Sequence, residues 1–384
     1  MLNFTFHNPT RVLFGEGQIQ SITKGIPADA RVLITYGGGS IKSNGVYEQV
    51  ATALNNHTFF EFAGIEPNPT YDTLMKAVDI IKENRIDFLL AVGGGSVIDG
   101  TKFIAAAAYY EGEDPWEILA AYKPVKKALP LGVVLTLPAT GSETNSGAVV
   151  TRGKDKLTFF SSKVAPKFAV LDPTVTLSLS ERQVGNGVVD AFAHTMEQYL
   201  TYPIEAKVQD RFAEGLLQTL IEEGPKALSK EKDNYKVRAN IMWSASLALN
   251  GLIGAGVPQD WTTHMIGHEL TALHHVDHAR TLAIFLPAVM KERRAEKKEK
   301  LLQYAERVWH ITDGNDDERI DAAIAKTEAF FQQMGMPIRL SDVKVDESSI
   351  EKILEQLKNH NMVKLSEKRD IDLTISKRIL ETAL

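Results

Sequence analysis

The chain has 384 residues, 43 Lys plus Arg against 49 Asp plus Glu for a formal net charge of -6, and no cysteine. The length exceeds what a single hydrophobic core usually fills, so two domains are expected. The mildly acidic balance argues against a nucleic-acid partner, and the missing cysteine removes disulfides, thiolate metal sites and cysteine nucleophiles, so any metal must take N and O ligands.

The opening residues, Met1 to Arg11, lack an apolar signal core, and no run of about 18 uninterrupted apolar residues follows. A soluble, cytoplasmic protein without membrane contact is expected. Phe4 to Phe14 reads as exposed edge strands that need a partner, which is one part of the ground for expecting a homodimer. Arg31 to Tyr36 is a short β-branched run ending on Gly37-Gly38-Gly39-Ser40, and Thr73 to Asn84 carries helical spacing in Leu74, Ala77, Val78 and Ile81. The pattern repeats in Asp87 to Val92, the turn Gly93-Gly94-Gly95-Ser96 and an alanine-rich helix from Val97 to Tyr109. Two more strands are predicted at Leu131 to Leu137 and Phe168 to Leu171, the second stopped by Asp172-Pro173. Such alternation predicts a mostly parallel sheet with helices on both faces. Beyond about residue 180 strand-like runs disappear, and Asp210 to Leu220, Val237 to Leu249 and Leu301 to Trp309 are helical in period. We therefore expect an α/β domain over residues 1–181 and an all-helical domain over 182–384. The charge run Lys291 to Lys300 mixes both signs at a period that suits an exposed helix face.

A glycine turn directly between strand and helix is where backbone amides and a helix N-terminus hold an anion, and glycine lets a pyrophosphate approach the backbone. Gly93-Gly94-Gly95-Ser96 has that position, although it does not match the spaced glycines of the Rossmann fingerprint and equally describes a tight turn without a ligand. The similar turn at Gly37 to Ser40, about one βαβ unit upstream, favours a dinucleotide across two strand ends. Thr136 to Glu143 follows a third strand end and can complete phosphate and ribose contacts.

Five of the ten histidines, His264, His268, His274, His275 and His278, fall within fifteen residues. Asp190 and His194 stand four apart, one helical turn, so both can face one ion, with His264 and His278 closing its other side. Imidazole and carboxylate suit zinc or iron(II). A capping pair and a set of satisfied core histidines remain the bland alternatives. The helical protease motif is absent, because no histidine follows His268-Glu269 at the spacing it needs.

Taken together, Glu66-Pro67-Asn68-Pro69-Thr70, Gly93-Gly94-Gly95-Ser96 with Asp99 and Lys102, Thr140-Gly141-Ser142-Glu143, Asp172-Pro173, Asp190 with His194, and His264, His268 and His278 resemble the iron-containing (group III) alcohol dehydrogenases over nearly the whole chain. Leu33 to Ser40 and Gly256 to Trp261 look most like the bacterial NADPH-dependent aldehyde reductases of butanol-dehydrogenase type. The resemblance implies a dehydroquinate-synthase-like fold: an α/β dinucleotide-binding domain, an all-α metal domain and an active site in the cleft between them. It implies one divalent ion, zinc or iron(II), on Asp190, His194, His264 and His278. It also implies cofactor contacts from Gly37, Gly38, Gly39, Ser40, Asn68, Gly94, Gly95, Ser96, Asp99, Thr136, Thr140, Asn145 and Lys156, with His268 near the nicotinamide. Many NAD-using members carry Asp where this chain has Gly39, so NADP(H) is implied.

The expected activity is reversible hydride transfer between NADPH and the carbonyl carbon of an aldehyde, the metal polarising the carbonyl oxygen. His268 is the candidate proton relay, with His274 as a possible helper, and a histidine that only packs against the cofactor is the rival view of it. A dehydroquinate-synthase-like lyase, an NAD-dependent polyol dehydrogenase, a metallohydrolase and a non-catalytic binding protein are the competing readings. Net NADPH consumption separates the reductase from the lyase.

Overall fold

The computed structural model describes residues 1–229 and 234–384. These residues form two compact units, one of His7–Leu179 with the segment 234–246, the other of Met1–Phe6, residues 180–229 and Leu247–Leu384.

The first unit carries a six-stranded, all-parallel sheet in the order β1-β8-β5-β4-β2-β3. Its strands are β1 (Arg11–Phe14), β2 (Arg31–Thr35), β3 (Thr58–Phe62), β4 (Phe88–Gly94), β5 (Leu131–Leu137) and β8 (Phe168–Leu171). Helices α1 (Ser40–Ser43), α2 (Val46–Ala53), α3 (Tyr71–Asn84), α4 (Gly95–Ala107) and α5 (Glu117–Ala120) alternate with them. Both faces of the sheet are covered, which is why the strands read as continuous apolar runs. Leu33, Leu89, Leu131 and Val133 pack on one side with Leu74, Ala77 and Ile104, while Val32, Ile34, Leu90 and Val134 pack on the other with Ile19, Ile22, Val46 and Val50. Strand order reverses at β2, which has β3 on one side and β4 on the other, and in such sheets ligands bind beyond the carboxyl ends at that point. Both glycine turns lie there.

The remaining strands, β6 (Gly147–Arg152) and β7 (Asp155–Phe160), form an antiparallel hairpin around Gly153, whose φ of 62° permits the tight turn. The Thr151 amide donates to Pro69 O at 2.9 Å, tying the hairpin to the Asn68–Thr70 segment. The sequence reading missed β3 and this hairpin.

The second unit is helical as expected. It holds α6 (Glu181–Tyr199), α7 (Lys207–Ala227), α9 (Thr262–His274), α10 (His278–Glu292) and the smaller helices that follow, with one isolated bridge between Leu365 and Ile371; α8 (Tyr235–Ala248) falls mostly in the first unit. A capping box starts α6: Ser180 Oγ accepts from the Gln183 amide, and Gln183 Oε1 accepts from the Ser180 amide. Among the described residues no helix is long and apolar enough to cross a membrane.

Three expectations need correction. Of Phe4 to Phe14, only Arg11–Phe14 is strand, because Pro9 has no amide to pair and Asn8 Oδ1 takes the Thr10 amide at 3.1 Å in a local turn. The four-residue turn at Gly93 is not a loop: β4 runs to Gly94, a bulge shifts register between Gly93 and Gly94, and α4 starts at Gly95. The Lys291 to Lys300 run is not a solvated face. Arg293, Lys297 and Lys300 are 4 to 5% exposed and pair with Asp370 at 2.6 Å, Asp260 at 2.8 Å and Asp210 at 2.7 Å, respectively. Arg293 and Lys297 lie in the turn between α10 and the helix that starts at Lys298, and partners elsewhere in the chain bury all three.

Candidate active site

The metal candidates are built by three helices. Asp190 and His194 project from one face of α6, where Val188, Val189, Ala191, Phe192 and Ala193 are fully buried around them. His264 and His268 stand one turn apart on α9, and His278 is the first residue of α10. Gly267 allows α9 and α10 to approach: a Cβ there would lie 2.7 Å from Thr281 Oγ1. Asp277, just before His278, accepts from Arg182 Nε at 2.9 Å and Asn186 Nδ2 at 3.0 Å, which fixes the start of α10 against α6.

Asp190, His194 and His264 are all buried and offer ligand atoms within 4.8 Å of one another. His194 Nε2 and His278 Nε2 each lie 3.8 Å from Asp190 Oδ1. That oxygen is buried and accepts no hydrogen bond. Buried carboxylate oxygens are normally satisfied, so an acceptor held between two imidazole nitrogens beyond hydrogen-bond reach fits a cation among them. The His194 and His264 rings stack at 4.6 Å, and His278 lies 5.0 Å from His264. His268 is buried beside this group, 5.0 Å from the His278 ring and 6.1 Å from that of His264. Of the other two histidines of the cluster, His275 takes the left-handed φ of 56° that ends α9, and burial together with Lys352 lowers the His274 pKa, Asp346 opposing.

One participant escaped the sequence reading. Glu197, three residues beyond His194 on α6, meets the His264 Nδ1 through its Oε2 and accepts the His264 backbone amide through its Oε1 at 3.2 Å. Its burial and the neighbouring Asp260 carboxylate push its pKa well above the ordinary value. The spacing of Asp190, His194 and Glu197, one face of one helix, was the available signal.

In the α/β unit the three predicted loop regions follow β2, β4 and β5, which are adjacent strands. A Cβ on Gly93 would lie 2.6 Å from Val97 Cγ2 and one on Gly95 2.4 Å from Thr140 Cγ2, so both glycines permit close packing at the junction. The N-terminus of α4 has no side-chain cap, leaving its first amides directed outward along the helix axis. Gly38 and Gly39 are open, with nothing within 4 Å of a built Cβ, and Gly39 has a φ of 96°. Such an arrangement leaves room for phosphate against backbone.

The remaining predicted cofactor residues surround this junction. The Asn68 amide donates to Ser96 Oγ at 3.3 Å, and Asn68 itself adopts a left-handed φ of 57°. Thr136 lies on β5 between the partners of the bulged Gly93 and Gly94, and Thr140 Oγ1 accepts from the Ser142 amide at 3.2 Å. Both Asp99 oxygens are engaged, by Ser142 Oγ at 2.6 Å and the Val149 amide at 2.9 Å. Burial raises the Asp99 pKa, opposed by Lys102, these two hydrogen bonds and Lys156 on β7. Asn145 Oδ1 accepts from Lys102 Nζ at 3.0 Å, and Lys102 also reaches Ser142 Oγ at 2.9 Å and Gly147 O at 2.7 Å. Burial depresses the Lys102 pKa to about 8. Ser40 begins α1, and Lys42 beyond it is paired with Glu61 at 2.8 Å and stacked over Tyr36 and Tyr47.

The family model "Iron-containing alcohol dehydrogenase" matches residues 9–173, and "Fe-containing alcohol dehydrogenase family, C-terminal" matches residues 185–374. The chain is 63% identical to the NADPH-dependent aldehyde reductase YqhD of Escherichia coli K12, over 100% of both chains. It superposes on the substrate and cofactor-free form of the E. coli aldehyde reductase YqhD with a TM-score of 0.93 at 61% identity, covering 100% of each chain. The NADH-dependent butanol dehydrogenase A from Thermotoga maritima gives a TM-score of 0.93 at 35% identity, covering 100% of this chain and 99% of that one. The chain belongs to the iron-containing alcohol dehydrogenase family.

Proposed function

We propose that this protein reduces aldehydes to primary alcohols with NADPH, using one divalent ion, zinc or iron(II), per chain. The observation that carries the reading is the buried Asp190 oxygen without a hydrogen bond, set 3.8 Å from two imidazole nitrogens, in a chain 63% identical to a protein named as an NADPH-dependent aldehyde reductase. Asp190, His194 and His264, with His278 as the fourth ligand, would hold the ion. When bound, the ion supplies a Lewis acid for the carbonyl oxygen and the reduced nicotinamide supplies the hydride. The amides at Gly95 and Ser96 orient the pyrophosphate at the N-terminus of α4, and Gly37 to Ser40 receive the adenosine end. Asn68, Thr136, Thr140, Asn145 and Lys156 line the junction, with Asp99 and Lys102 holding the β5–β6 connection in shape. His268, beside His278, would relay from solvent the proton that the alkoxide takes up.

Gly39 favours NADPH over NADH, since a carboxylate there would repel a 2′-phosphate. We further propose a cytoplasmic homodimer. The test is NADPH oxidation over a panel of short and medium aldehydes, with metal analysis of the same sample. Metal-dependent, one-to-one conversion of aldehyde to alcohol is expected; a metal-loaded protein that consumes no NADPH with any aldehyde contradicts the reading.

A further inference from the structure

Glu197 occupies a position that the reaction does not call for directly. It is 4% exposed, lies on the same α6 face as Asp190 and His194, and grips residue 264 twice, at the ring Nδ1 and at the backbone amide. Its own carbonyl accepts the Asp260 amide at 2.8 Å, so the turn leading into α9 is anchored to α6 at the same residue. Behind it Lys297, 5% exposed, donates to Asp260 at 2.8 Å, to Leu200 O at 2.6 Å and to Glu367 at 3.3 Å. The Trp261 and His194 rings flank His264 at 5.4 and 4.6 Å.

We propose that Glu197 is a positioning residue of the metal centre: by accepting the Nδ1–H of His264 it fixes the tautomer that presents Nε2 to the ion and adds the second negative charge that balances a divalent cation. The inference rests on the metal-dependent reading above. Its physical basis is twofold. An imidazole whose Nδ1 carries a proton shared with a carboxylate offers only Nε2 as a lone pair and is a more basic ligand. In charge terms, Asp190 alone leaves a divalent site at +1 in a buried setting, whereas Asp190 with Glu197 brings it to neutrality. Without the ion the same arrangement leaves Glu197 beside Asp260 with no divalent charge to balance them. Glu197 therefore acts differently on the two states, favouring the loaded one.

The test compares wild type with Glu197→Gln, which keeps length and acceptor but removes charge, and Glu197→Ala, which removes both. Each metal-free protein is titrated with cobalt(II), followed by visible absorption and checked by competition against a zinc chelator. Affinity is expected to fall about 10- to 100-fold in Glu197→Gln and further in Glu197→Ala, while the melting temperature of metal-free Glu197→Gln stays at or above that of metal-free wild type. Equal affinities for wild type and Glu197→Gln overturn the proposal. Equal loss of stability in metal-free and metal-loaded forms makes the glutamate merely structural and overturns it too. Should wild type itself take up no ion, the metal-dependent reading fails instead, which keeps the two failures apart. A measurement independent of variant folding uses zinc-loaded wild type labelled with nitrogen-15 at histidine: a protonated His264 Nδ1 with zinc on Nε2 is expected, and ligation through Nδ1 overturns the assignment.

Discussion

At Gly39 the backbone has a φ of 96°, which L side chains rarely adopt, so any replacement there carries strain as well as chemistry. A substitution meant to change cofactor choice must separate the two effects. Gly39→Asp and Gly39→Asn share the strain, on the order of 1 to 3 kcal/mol, but only the aspartate brings a charge. The expected result is a NADPH-to-NADH efficiency ratio lowered by about 10-fold or more in Gly39→Asp relative to Gly39→Asn, as one charge-assisted contact is exchanged for repulsion. Equal ratios for the two variants would place the 2′-phosphate elsewhere. At the metal, Asp190→Asn replaces an anionic ligand with a neutral one of the same shape. Turnover should fall about a thousand-fold or more, because Lewis-acid stabilisation of the developing alkoxide is worth several kcal/mol. NADPH binding, measured by fluorescence titration, should persist. A variant that keeps both ion and turnover would remove Asp190 from the ligand set.

Among the elements, the junction of β4 and α4 is the most demanding. Gly95 cannot carry a Cβ without meeting Thr140 at 2.4 Å, and Thr140 is tied to the Ser142 amide. Gly95→Ala should therefore displace the 140–142 loop, costing about 1 to 3 kcal/mol through overpacking, and weaken NADPH binding while metal content stays at the wild-type level. Tight NADPH binding in this variant would show that the junction is a structural turn only. Much of this architecture could be read from residue order: glycine runs after apolar strands mark β2 and β4, and Asp190 with His194 reveals its shared face through a spacing of four. Other parts were hidden for physical reasons. The β6–β7 hairpin alternates too weakly to stand out, since Lys156 at 7% exposure is as buried there as an apolar residue. Glu197 looks like any helical glutamate until the fold brings His264 against it, and Lys297 and Lys300 look solvated until Asp260 and Asp210 arrive from distant segments.

For the whole molecule, an ion that binds only the folded chain stabilises it in proportion to its occupancy, by about 2.7 kcal/mol at a hundred-fold excess over the dissociation constant. Chelation should lower the melting temperature of wild type and leave Asp190→Asn unmoved; a chelator-insensitive wild type would argue against a resident metal. The assembly state is checked by sedimentation at micromolar concentration, where a dimer is expected and a fully active monomer would refute it. The central claim, that the buried carboxylate and imidazoles hold the ion on which reduction depends, is tested most directly by adding zinc or iron(II) stepwise to metal-free protein while following NADPH oxidation with a saturating aldehyde. The account predicts a rate that rises linearly and levels at one ion per chain in wild type and does not rise in Asp190→Asn. Full turnover before any ion is added, or an identical response in the variant, would contradict it.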